Sequence, residues 1–516
     1  HRSDLVEPLG QMSPYRLPYG LSEICERLKP GEGQTIAEQA LSFWKARFFV
    51  DDYIVDNRWP LLKRKEFLVR KVHQAEKHPA NPVLPGRGGY VNVVWDKEAR
   101  LYRMLYQDFW YYSQEPLKYT YAVAYAQSPD GIHWETPNLG FYQWKESGNN
   151  NICWQAPTDQ KSPETIGAYS QYLLKIPAEH RRGYKYVMYY VTATGVQLVG
   201  SNDCIHWDRS SVTPIGTDFH PDTHSSIVWD PVTKTFVWFT RATDRYSDSG
   251  NLERGATRRV ARMENKQLWT EWPLQTQNVL IPDALDAINH PGGDLDGFNF
   301  FYAMPTRYHA GIYWGFAEPY RLKAGLIETH LTISRNGRVF ERLPGRSSLI
   351  GLGADGTWDD SMIFANPDWI EVGDKWHIYY AGVDGPHHAI DGTTGIGLAT
   401  IRKEGFVSLR GPQHGGVVCT RRIRWPGGNL QVNCNTLLPN QEPGELKVRI
   451  VNSNRKALPG FNYEDSVPFQ GDDTSHQVRW KERRIDELGG KVVRLEFFLT
   501  RADLYTFRAT AADTTQ

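Results

Sequence analysis

Cysteine is scarce. Five residues in 516 (Cys25, Cys153, Cys204, Cys419, Cys434) are scattered and odd in number. With no CxxC pair and no Cys/His cluster of zinc-finger spacing, the sequence argues against a structural zinc site and against a disulfide framework. Charge of one sign is also lacking: 59 Lys+Arg stand against 59 Asp+Glu. That balance removes the electrostatic reason to expect a nucleic acid or an anionic membrane as partner. No run of 18 apolar residues occurs, so no segment reads as a membrane-spanning helix. The chain has no GxSxG elbow, no HExxH, no glycine-rich phosphate loop leading into a helix and no dinucleotide fingerprint. Serine- and zinc-based hydrolases and nucleotide-binding enzymes are therefore disfavoured, and no cofactor is expected.

What is abundant is aromatic. Phe, Trp and Tyr make up 13% of the chain, with 18 Trp and 27 Tyr. Such an excess suits β-sheet and surfaces that stack on flat ligands such as sugar rings. Hydrophobic residues at 40% and charged residues at 23% are enough for a large packed core.

Internal repetition decides the fold class. SPDGIHWE around Trp134 returns as SNDCIHWDR around Trp207, with weaker echoes ending at Trp272, Phe340 and Phe406. These anchors are 73, 65, 68 and 66 residues apart. Upstream of each lie two runs rich in Val, Ile, Tyr and Trp (VNVVWD and LYRMLYQDF; YLLKI and YKYVMYYV; SSIVWD and TFVWFTRA; FNFFYAMP and GIYWGFAE; PDWIEV and KWHIYYAG), then a third such as YAVAYAQS or TGIGLATI. Turn residues separate them. Three strands plus an anchor strand, five times over, predict an all-β chain built on a five-bladed β-propeller over residues 49–411. Residues 1–48 contain TIAEQALSFWKARF, whose apolar spacing predicts one amphipathic helix in an N-terminal extension. After residue 411 the blade pattern stops, and GNLQVNCNT, GELKVRIVN, HQVRWKE and KVVRLEFFLT predict a C-terminal β-sandwich over 412–516.

In a propeller, the starts of the innermost strands and the ends of their neighbours converge on the mouth of the central channel. The starts carry Asn92, Glu164, Asp222, Asp294 with Asp296, and Asp359 with Asp360; the ends carry Asp108 with Trp110, Arg241, Glu318, and Asp384 with His387. A carboxylate-rich mouth is what glycosidic cleavage needs: one acid protonates the leaving oxygen and a second acts as base or nucleophile. The turn residues Asp130 and Asp203 fall on the opposite face and read as structural. Asp222, in FHPDTHSSIVWD between His220 and His224, is the leading catalytic candidate; the i, i+2, i+4 spacing of the three also admits a metal, though sugar hydroxyls are the preferred ligands. Glu164 and Asp296 hold the equivalent places in units two and four, with Asp360 and Glu318 behind them. Glu318 ends a very apolar strand, where desolvation raises a carboxyl and suits a general acid, unless Arg321 pairs with it. Arg241, His224, His220, Trp110, Asp108, Asn92 and His387 are the expected sugar-binding residues, with Arg241 suited to clamp a substrate carboxylate.

FFVDDYIVDN, KHPANPVL and VVWDKEARLYRMLY with SPDGIHWETPNLG resemble bacterial proteins classed near glycoside hydrolase family 32. So do DTHSSIVWDP, TWDDSMIFANP with HIYYAGVDGPHH, and PGELKVRIVN with LPGF and VRWK. That family belongs to a wider five-bladed propeller group with families 43, 68 and 143, and the resemblance spans roughly residues 47–510. It implies a propeller with a C-terminal sandwich, a carbohydrate substrate, and a periplasmic or secreted location, although HRSDLVEP at the start shows no signal-peptide pattern. The family's WMNDPNG, RDP and EC motifs are absent, and Asn92 stands where its nucleophile falls. The resemblance thus points to a glycosidase acting on a different sugar. A carbohydrate-binding propeller without catalysis and a propeller-type phosphorylase are the alternatives.

Overall fold

A computed structural model describes residues 43–60, 67–86, 88–114, 117–156, 167–242, 258–283, 286, 299–321, 324–387 and 392–511. The regular structure there is β-strand, with short 3-10 turns at Ala178–His180 and Ile485–Leu488. The expected N-terminal helix falls largely outside the described residues. Its described end instead makes a turn and then the strand Arg47–Phe48, which pairs with Asp503–Thr510.

Five sheets follow one another along the chain. The first orders Asn92–Asp96, Leu101–Gln114, Leu117–Ser128 and Ile152–Trp154; the second Tyr169–Leu173, Tyr186–Thr192, Gly195–Ser201 and Trp207–Thr217; the third Ser226–Asp230, Thr235–Arg241, Val260–Asn265 and Gln277–Leu280. The fourth has Thr306–His309, Ile312–Ala317, Thr329–Ser334 and Glu341–Arg342, and the fifth Met362–Ala365, Lys375–Val383 and Thr394–Arg402. Apolar clusters join the first sheet to the second, the second to the third, the third to the fourth and the fourth to the fifth. A further cluster, with Val93, Met104 and Ala124 against Tyr379, Ile396 and Leu398, joins the fifth back to the first.

The repeated anchor is a turn. Asp130 Oδ1 accepts from the backbone N of Ile132 and of His133, both at 2.8 Å, and the Trp134 indole donates to the carbonyl of Gly131 at 3.1 Å. Asp203 and Trp207 repeat every one of these bonds with Ile205, His206 and Cys204. Asn336 takes the same place in the fourth sheet, accepting from Arg338 N. The turn requires a left-handed residue at its tip. Gly131 has φ +77°, and a Cβ there would lie 2.5 Å from the hydroxyl of Tyr379 in the fifth sheet. Asp130 and Asp203 therefore shape these turns, and none lines the cavity described below.

Three strands differ from the sequence expectation. In the fourth unit FNFF does not begin the sheet: Asn299–Phe301 pairs with Pro319–Arg321, and Thr306–His309 lies beside Ile312–Ala317. In the fifth unit Met362–Ala365 pairs with Tyr380–Val383, while Ile370–Val372 forms only the tight hairpin to Lys375. Both misplaced runs are rich in aromatic or β-branched residues, as strands are, so composition alone does not separate them from their neighbours. The fifth sheet's outer edge is supplied not by residues after 402 but by Glu76–Lys77 and Leu84–Pro85, which pair with Thr394–Arg402. Val407–Arg410 instead lies between Val69–Val72 and Asp503–Thr510.

Asn299–Phe301, Pro319–Arg321 and Leu326–Ile327 extend the fifth sheet. The other strands before and after the repeats form two further sheets around one apolar cluster that includes Phe49, Trp425, Val448, Leu495 and Phe507. Strands from before the repeats join both sheets: Val55–Pro60 pairs with Gly416–Thr420 as Val69–Val72 does with Val407–Arg410. Arg335 of the fourth sheet grips Asp51 with two hydrogen bonds of 2.7 and 2.8 Å, fixing this unit against the repeats.

Candidate functional site

A cavity of about 390 Å³ opens where the first strands of the five sheets begin. Each sheet, or the segment leading into it, contributes to its wall: Tyr90, Gln107, Phe109, Tyr111 and Tyr121; Tyr169 and Ser170; Asp222; Tyr302; and Phe364 with His387. Seven Phe and Tyr rings share the wall with glycines and small polar residues. Gln107 Oε1 accepts from Ser170 N at 2.7 Å, and Gln171 Nε2 donates to the carbonyl of Tyr90 at 2.6 Å, so the first and second sheets are locked together at the cavity.

Asp222 is the carboxylate of this wall among the described residues. Its backbone φ is +39°, an uncommon conformation for a residue with a side chain. The carboxylate meets solvent through the mouth yet is surrounded by protein, and that desolvation raises it above the usual Asp range; Arg258 and Arg241 oppose the rise. Arg241 ends the Thr235–Arg241 strand, and the adjacent strand begins two residues after Arg258. Burial and then their mutual repulsion lower Arg241, while Asp222 and Tyr302 act the other way. Arg258 lies over the Tyr302 ring at 4.7 Å, and its Nη1 is buried without a hydrogen-bond partner.

Behind the wall lies a fully buried pair. His224 Nδ1 is 3.0 Å from Glu318 Oε1, with side chains 1% and 0% exposed. The imidazole stacks on Tyr90 at 4.9 Å and 18°. Burial pushes His224 down to about 3 and Glu318 well above the ordinary carboxyl value, so burial favours the neutral form of each. His224 Nε2 and Glu318 Oε2 have no partner. The pair backs Tyr90, whose hydroxyl is 3.4 Å from that of Tyr302. Arg321 takes no part, because it bonds Glu328 at 2.7 Å.

The structure thus brings together Asp222, Arg241, His224, Glu318 and His387, the last with its ring 5.1 Å from Tyr302 and its Nδ1 3.3 Å from the Tyr320 hydroxyl. Other expected site residues lie elsewhere. Asp108 and Trp110 are one residue out of phase with the cavity: side chains alternate along a strand, so Gln107, Phe109 and Tyr111 face in while Asp108 and Trp110 face out. There Asp108 accepts from the Trp144 indole at 3.2 Å and from Lys145 at 2.9 Å, and Trp110 packs edge-on to Trp144. Asn92 is buried, accepting from Leu173 N at 3.2 Å. Asp360 closes a loop, accepting from Gly356 N at 2.7 Å and the Ser361 hydroxyl at 2.6 Å, which hold it below the usual range. Asp359 binds Lys77 at 2.6 Å and the Tyr380 hydroxyl at 2.9 Å. His220 is exposed and bonds the Ala193 carbonyl at 2.8 Å, away from the buried His224. Among the described residues no three His, Cys, Asp or Glu side chains converge as metal ligands. Glu164, Asp294 and Asp296 lie outside the described residues. Sequence reasoning missed Arg258 and the tyrosines. Arg258 belongs to a run of arginines with no distinguishing neighbour, and Tyr90, Tyr169 and Tyr302 read as ordinary strand residues.

No known family profile and no curated protein matches the chain. Among solved structures it is similar to an N-acetylgalactosamine deacetylase from F. plautii (14% identity, TM-score 0.44, over 65% of this chain and 95% of that one). A thermostable family-43 glycoside hydrolase aligns at 12% identity and TM-score 0.39, over 65% of this chain and 96% of its own. A β-1,2-mannobiose phosphorylase from Listeria innocua aligns at 11% and 0.41, over 64% and 97%. Likeness this distant carries neither chemistry nor substrate across.

Proposed function

We propose that the chain is a glycosidase whose catalytic centre is the aromatic cavity around Asp222, set in a five-bladed β-propeller over about 49–411 that packs on a C-terminal β-sandwich. The cyclic succession of apolar clusters, with the fifth sheet returning to the first, supports the propeller reading. The observation that carries the function is the site itself: one accessible carboxyl, raised by its surroundings, inside a wall of aromatic rings. Rings of that kind stack on sugar faces, and a raised carboxyl is the form a general acid needs.

In the reaction, water adds across the glycosidic bond. Asp222 delivers its proton to the leaving oxygen as the C–O bond breaks. A second carboxylate takes a proton from the water whose oxygen bonds to the anomeric carbon, or first forms a glycosyl ester that water then opens. Glu164 and Asp296 are the proposed second carboxylates, since they precede in sequence Tyr169 and Tyr302 of the wall. Glu318 acts indirectly, because it is sealed behind Tyr90 with His224. Arg241 and Arg258 favour a sugar bearing a carboxylate. The same two cations also fit inorganic phosphate, which would make the reaction phosphorolysis.

The test is a screen of acidic and neutral oligosaccharides, with and without inorganic phosphate, wild type beside Asp222→Asn. Release of sugar without phosphate, falling at least ~10³-fold in the variant, is the expected result. Release only with phosphate replaces hydrolysis by phosphorolysis. Binding without release in any mixture overturns the enzyme reading in favour of a carbohydrate-binding propeller.

A further inference from the structure

One hairpin is much longer than the rest. The strands Leu101–Gln114 and Leu117–Ser128 span 14 and 12 residues, whereas the first strand of their sheet pairs only as far as Leu105 and the outer strand only at Val123 and Ala124. Beyond these points the hairpin continues as a two-stranded arm, with Phe109 opposite Tyr121 and Tyr111 opposite Tyr119. Opposed residues share a face, and so do residues two apart, so all four rings lie on one side. They form two tiers, the Phe109 and Tyr111 centroids 6.3 Å apart and those of Tyr119 and Tyr121 5.5 Å apart. Phe109, Tyr111 and Tyr121 line the cavity, and Tyr111 is 38% exposed. The opposite side is occupied, because Trp110 packs on Trp144 there. The base of the arm rests on the second sheet, where Tyr121 meets Tyr169 at 5.5 Å, while the outer part of the aromatic face, at Tyr111, stays open.

We propose that this aromatic ladder is a stacking platform for pyranose rings beyond the one held at Asp222, so that the preferred substrate is an oligosaccharide chain rather than a single glycoside. The proposal rests on the glycosidase reading of the cavity. The ladder is continuous with that cavity and steps outward from it in increments close to one pyranose along a chain. Its rings offer apolar faces and no ion pair, which suits sugar faces and leaves charge recognition to Arg241 and Arg258.

The experiment compares two-ring and four-ring members of the oligosaccharide panel on the full chain, for wild type, Tyr111→Ala, Tyr119→Ala and Tyr111→Phe. Wild type is expected to show kcat/KM about three- to tenfold higher on four rings, consistent with one or two stacking contacts. Tyr119→Ala, which lies outside the cavity wall, loses that gain while keeping two-ring turnover; Tyr111→Ala loses the gain as well, and Tyr111→Phe retains it. An unchanged gain in Tyr119→Ala overturns the platform, as does equal loss on both lengths in that variant. Should wild type turn over nothing, the glycosidase reading fails separately, and calorimetry on the same pairs still decides. Tighter four-ring binding that disappears in Tyr111→Ala upholds the platform; equal or absent binding overturns it. A wild-type dimer that Tyr111→Ala splits in sedimentation shows the face to be a contact between copies, and overturns it too.

Discussion

Glu341 offers a direct test of the electrostatics that seat the N-terminal strands on the repeats. It borders a cleft of about 480 Å³ together with Asp51, Asp52 and Arg70, and is distinct from the aromatic cavity. Burial first, and then the neighbouring Asp51, push its carboxyl up to about 7, against the pull of Arg70 and Arg335. Arg335 is already engaged bidentately by Asp51, and Arg70 bonds Asp52 at 2.7 Å, so neither is free to pair with Glu341. The native state therefore holds a proton between pH ~4.5 and ~7 that the unfolded chain has released. Stability contributed by this group is full below the unfolded pKa and falls as pH rises through the folded value. A rise from 4.5 to about 7 sets a ceiling of ~3.4 kcal/mol, at ~1.36 kcal/mol for each pH unit; because the group is partly exposed, ~1–2 kcal/mol is the expected loss. Glu341→Gln keeps the shape and abolishes the titration. Urea unfolding of both proteins at pH 3.5, 5, 6, 7 and 8 should give matching midpoints at pH 3.5, below the unfolded pKa, and a gap that widens from there to about pH 7. At pH 8 the variant should be the more stable by ~1–2 kcal/mol. A difference that does not vary with pH refutes the reasoning.

Other perturbations separate the parts of the site. Arg258→Met, alone and with Arg241→Met, should raise KM roughly ten- to a hundredfold for carboxylate-bearing oligosaccharides and leave neutral ones unchanged; equal effects on both classes would exclude the charge role. Truncating one member of the buried pair, as in His224→Ala, should cost ~2–4 kcal/mol because it opens a cavity and strands Glu318 without a partner. The double variant His224→Leu, Glu318→Leu should recover most of that cost, which denaturation of the three proteins would read. Asp130→Ala and Asp203→Ala should each lower stability by ~1–2 kcal/mol, add in combination because they cap turns of different sheets, and leave kcat unchanged in the same oligosaccharide assay.

The repeats were legible because the turn that carries them is chemical as well as periodic. Ser128, Asp130, Gly131 and Trp134 each make a specific bond or contact, and Ser201, Asp203, Cys204 and Trp207 answer them one for one. Residues whose identity is demanded by a bond to their own backbone leave a signature that spacing reveals. The outer strands of the fifth sheet left none. Glu76–Lys77 and Leu84–Pro85 are two residues each, and their partner, Thr394–Arg402, is more than 300 positions away. A pairing of that kind is fixed by the tertiary ring of clusters and not by local propensity.

The site failed to read through for a sharper reason. Carboxylates at strand ends were grouped by position, but a strand sends successive side chains to opposite faces, so a position error of one residue exchanges cavity for scaffold. Asp108 and Trp110 were expected inside and lie outside; Gln107, Phe109 and Tyr111 take the places they were given. An acid at a strand end has many structural partners available, as Asp359, Asp360 and Asp108 show with Lys77, Ser361 and Lys145. A ring on the outer part of a long hairpin has few: Tyr111 meets Phe109 and Tyr119, Tyr119 meets Tyr121, and Tyr111 borders the space beside Asp222. An acid that faces two arginines across a cavity where rings converge is the more informative observation, and among the described residues of the cavity wall that description fits Asp222.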